Sequence, residues 1–80
     1  MKIRKTYLNE EEVKVFIYEN KKEETVVVAV PSAEWSISFT YEEAGEALIE
    51  RLADSLAGTN LDAQSASEMS QRIYQWTHEM

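Results

Sequence analysis

Eighty residues, of which 44% are hydrophobic and 29% charged, describe one small globular domain and exclude a disordered chain. The absence of cysteine excludes disulfides, thiolate metal sites and cysteine nucleophiles, and fits a reducing compartment. The net charge of -7 is unevenly spread: six basic and four acidic residues up to Lys22, then two basic against eleven acidic. A chain with this balance repels nucleic acid, whose binding rests on neutralised phosphates, so no nucleic-acid partner is expected.

The opening MKIRKTYLNEEE has no apolar segment of signal-peptide length, and no run approaches a membrane span. A soluble, cytoplasmic protein is the expectation. Residues 2–8 are mixed, with Ile3, Tyr7 and Leu8 apolar, and fit an edge strand whose Lys and Arg discourage edge-to-edge pairing. Asn9–Glu12 is a polar turn. Val13–Tyr18 alternates as a strand, with Val13, Val15 and Ile17 on one face and Lys14, Phe16 and Tyr18 on the other. Glu19–Glu23 is a solvated hairpin connection in which Asn20 tolerates turn dihedrals.

Thr25–Val30 is an almost unbroken β-branched run, which predicts a central strand covered on both faces. Pro31 ends it, because proline cannot donate to a ladder. Trp35, Ile37, Phe39 and Tyr41 then alternate with Ser36, Ser38 and Thr40, giving a strand with one aromatic and one hydroxyl face. Thr40-Tyr41-Glu42-Glu43 matches a capping box and predicts a helix over Tyr41–Ala57, ended by Gly58. Its apolar stripe is Tyr41, Ala44, Leu48, Leu52 and Leu56, flanked by Ile49. Gly45 falls mid-helix, where close packing would have to offset its cost. Thr59–Asp62 is a connector with several possible caps. A second helix, Ala63 to Glu79, carries an Ala66–Met69–Ile73–Trp76–Met80 seam.

This order gives an α+β fold over a single domain, residues 1–80: an antiparallel meander of three to four strands followed by two helices packed on one sheet face.

Chemistry is sparse. The one histidine, His78, lies near the C-terminus, and the serines lack a nucleophile-elbow context. Two glycines, both in helical surroundings, write no phosphate loop. Glu10–Glu12 and Glu23–Glu24 lack the ligand spacing of a calcium loop. No enzyme, cofactor or metal is expected. Two surfaces remain as candidate partner-binding sites. On the first helix, at about 100° per residue, Glu43, Glu46, Glu50 and Asp54 form an acidic ridge, with Arg51 reaching at best Asp54. It reads either as a solvated face or as a surface for a basic partner. On the sheet, Phe16 and Tyr18 form an exposed aromatic patch, which Tyr7 is placed to join, if both helices cover the opposite face. The readings left open are a protein partner, a homodimer through that face, or an acidic nucleic-acid mimic that inhibits a DNA- or RNA-binding enzyme.

The opening MKIRK, YENKKEE at Tyr18–Glu24, AVPSAEWSISFTYEEAGE at Ala29–Glu46 and IYQW at Ile73–Trp76 resemble the YueH type of small Bacillus protein. That resemblance implies a small cytoplasmic protein of Gram-positive bacteria with no assigned activity. It transfers no catalytic residue.

Overall fold

The computed structural model describes residues 1–8, 10–59 and 61–78. The chain divides into two compact units, Met1–Tyr41 and Glu42–Met80.

The first unit is a sheet of four antiparallel strands in sequence order: β1 (Lys2–Leu8), β2 (Glu11–Asn20), β3 (Thr25–Val30) and β4 (Trp35–Thr40). Short connections make each strand the neighbour of the next, as expected for a meander. The register follows from alternation. Ile17 lies opposite Val28, and Val28 opposite Ile37. The face they share carries Val13, Val15, Val26, Val30, Trp35 and Phe39, all buried, with Ile37 half-buried. A one-residue slip would turn this whole set outward, so burial fixes the pairing.

The turns carry the strain. Glu10, Glu24 and Glu34 adopt positive φ, at 67, 55 and 51°. Asn20, expected to bend the β2–β3 turn, instead stays in the strand and staples it. It accepts from the Glu23 amide at 3.2 Å and donates to the Glu23 carboxylate at 2.9 Å. After β3, Pro31–Ala33 forms a single 3₁₀ turn closed by the Glu34 amide on the Pro31 carbonyl at 3.0 Å. The expectation that β3 is covered on both faces is corrected: Val27 is exposed and Ala29 half-exposed. β3 is interior in strand order, yet only its Val26–Val28–Val30 side is buried.

The second unit is a helical hairpin, α1 (Gly45–Ala57) and α2 (Ala63–His78). Leu48, Leu52 and Leu56 of α1 are buried, as are Ala66, Met69, Ser70 and Ile73 of α2. Trp76 is half-buried. Asn9 of the first turn, Asn60 of the connector, and Glu79 and Met80 at the expected end of the second helix and its seam lie outside the described residues.

The start of α1 corrects the expected capping box. Thr40 is the last residue of β4, and Tyr41 belongs to the sheet unit, its amide bonded to the Glu24 carbonyl at 2.9 Å. Tyr41 and Ala44 are exposed and leave the apolar stripe. The strand register carried one pair further, Glu24 opposite Tyr41, overrides the local cap signal. Gly45 is therefore not a mid-helix glycine but the first helical residue, at φ 69°. An added Cβ there would meet nothing within 4 Å, so backbone conformation, not close packing, calls for glycine. The residue before it, Ala44, provides no side-chain cap.

Candidate functional site

Among the described residues no group of three or more His, Asp or Glu is placed to hold a metal. Among the described residues no helix is long and apolar enough to cross a membrane. An open groove on the helical hairpin is lined by Ile49, Glu68, Gln71, Arg72, Tyr74 and Gln75. It presents no buried polar side chain left unsatisfied and no nucleophile–base pair.

The second helix is capped by Asp62. Its carboxylate accepts from the Ser65 amide at 2.7 Å, and its carbonyl accepts from the Ala66 amide at 2.9 Å. Hydrogen bonding from Ser65, its amide first, holds the Asp62 carboxyl below its ordinary pKa. The first helix obtains its partner from far along the chain: the Gly45 amide donates to the Tyr74 hydroxyl at 3.0 Å. The Tyr74 ring in turn meets His78 edge to face, 4.3 Å between centroids. His78 thus has a packing role at the end of α2. A cap supplied 29 residues away has no local sequence signal.

The acidic ridge is shorter than the periodicity indicates. Glu43 precedes α1, and its carboxylate is bound by Arg51, correcting the expectation that Arg51 could reach only Asp54. Glu46, Glu50 and Asp54 remain as an exposed line on the helix. Eight residues of helix separate its ends by about 12 Å.

The other candidate face is larger. Strand pairing puts Ile3 opposite Phe16, Phe16 opposite Ala29 and Ala29 opposite Ser36. The next row is Tyr18, Val27 and Ser38. All of these lie on the face opposite the buried valines, and Ile3, Tyr7 and Tyr18 are 51%, 66% and 46% exposed. Phe16 is half-buried by its neighbours. The structure thus brings Phe16 and Tyr18 together and adds Ile3 and Val27, while Tyr7, expected to join them, lies on the same face beyond the Lys5–Lys14 pair. Ile3 and Val27 were legible only once the register was known. At one border Lys5 stands opposite Lys14, and Lys5 lies 3.8 Å from the Glu12 carboxylate.

At the far corner of the sheet the Tyr41 hydroxyl donates to the Glu19 carboxylate. That bond, with the nearby charges of Glu19 and Glu24, pushes the phenol up to about 12, so it stays protonated at neutral pH.

Comparison with known proteins agrees along the whole chain. The model of a family described as YueH-like protein matches residues 2–79. "Uncharacterized protein YueH" of Bacillus subtilis (strain 168) is 40% identical over an alignment of 83 residues that covers all of both chains. No solved structure matches. With a family model spanning nearly every residue and a full-length relative at this identity, the chain belongs to the YueH-like family.

Proposed function

We propose that this chain is a small, non-enzymatic, cytoplasmic binding module that engages another protein surface through the outer face of its sheet. The observation that supports this most is the cluster of Ile3, Phe16, Tyr18 and Val27 held at or near the surface by strand register. Ser36, Ser38 and Thr40 occupy the same face of β4, so the fold accepts polar residues there. Large apolar groups on β1 and β2 have no corresponding internal task, and contiguous apolar surface of this kind marks interaction sites. The absence of cysteine fits a reducing compartment.

The acidic helix line has less support as the binding surface. Three carboxylates over about 12 Å of helix are a short imitation of a phosphate backbone, and an exposed charged row is well solvated without a partner. The test is affinity capture from the source cell with two double variants beside the parent. Phe16→Ser with Tyr18→Ser is expected to lose the captured protein, and Glu46→Lys with Glu50→Lys to retain it. Loss with the helix variant alone would transfer the function to the acidic line.

A further inference from the structure

We draw no further inference here: the strongest candidate, the apolar patch of Ile3, Phe16, Tyr18 and Val27 on the outer face of the sheet, belongs to the binding surface already proposed, and nothing in the structure shows what covers it.

Discussion

The outer face of the sheet and the outer face of α1 both meet water, and they do so at different cost. The helix face displays Glu46, Glu50 and Asp54, charges whose hydration is favourable and whose mutual repulsion amounts to a few tenths of a kcal/mol per pair. The sheet face displays Ile3, Tyr18 and Val27, whose hydration is unfavourable in proportion to their apolar area. A charged face is explained by solubility alone. An apolar face built on the same strands as the core needs another reason, and the proposed binding of a protein partner would supply one.

The sharpest way to break this comparison is within one strand. Ile17 is fully buried and Tyr18, its neighbour, is half exposed. Ile17→Ala should cost about 2–5 kcal/mol, a large part of a total stability of about 5–15 kcal/mol. Tyr18→Ser should stay within about 0.5 kcal/mol of the parent in urea denaturation, while weakening association. Equal losses at both positions would mean that Tyr18 belongs to the core and that the two faces are not different in kind.

The next effect in size lies at the entry to α1. Gly45→Ala forces a Cβ onto a residue at φ 69° and should destabilise by about 1–2 kcal/mol, despite the open space around it. A gain in stability would show that α1 starts without the left-handed turn. On the helix face itself, Glu50→Lys replaces two repulsive i, i+4 pairs with two attractive ones and should stabilise by about 0.5–1 kcal/mol, leaving association unchanged. A loss of association on this change would turn the comparison around.

The smallest effect is one of pH. The Asp62 carboxyl titrates below its ordinary range because it accepts from Ser65 at the start of α2. A carboxyl lowered in the folded state contributes fully above its unfolded pKa of about 3.9, and the contribution disappears as pH falls through the lower folded value. Asp62→Asn should therefore flatten the acid limb of the melting-temperature profile and leave the neutral region nearly unchanged. An identical acid limb in the variant would mean that the cap is not charged.

Strand positions and the two helices were legible in the sequence, because alternation and the Leu48–Leu52–Leu56 spacing follow directly from burial on one side. The entry to α1 was not. Thr40 and Glu43 have the right spacing for a capping box, but the sheet holds Tyr41 against Glu24, and Arg51 takes the Glu43 carboxylate. Tertiary partners outcompeted a local signal, and the real cap, the Tyr74 hydroxyl, lies 29 residues from Gly45. Of the candidate surface, Phe16 and Tyr18 could be read from alternation. The place of Ile3 beside Phe16, and of Val27 beside Tyr18, required the register, which no single strand contains.

The most direct test of the central claim is an amide-resolved NMR titration of the unmodified chain with the protein it captures from the source cell. The account predicts shifts clustered at Ile3, Phe16, Tyr18, Val27 and Ala29, with Glu46, Glu50 and Asp54 unmoved. Shifts along α1 with a silent sheet would contradict it.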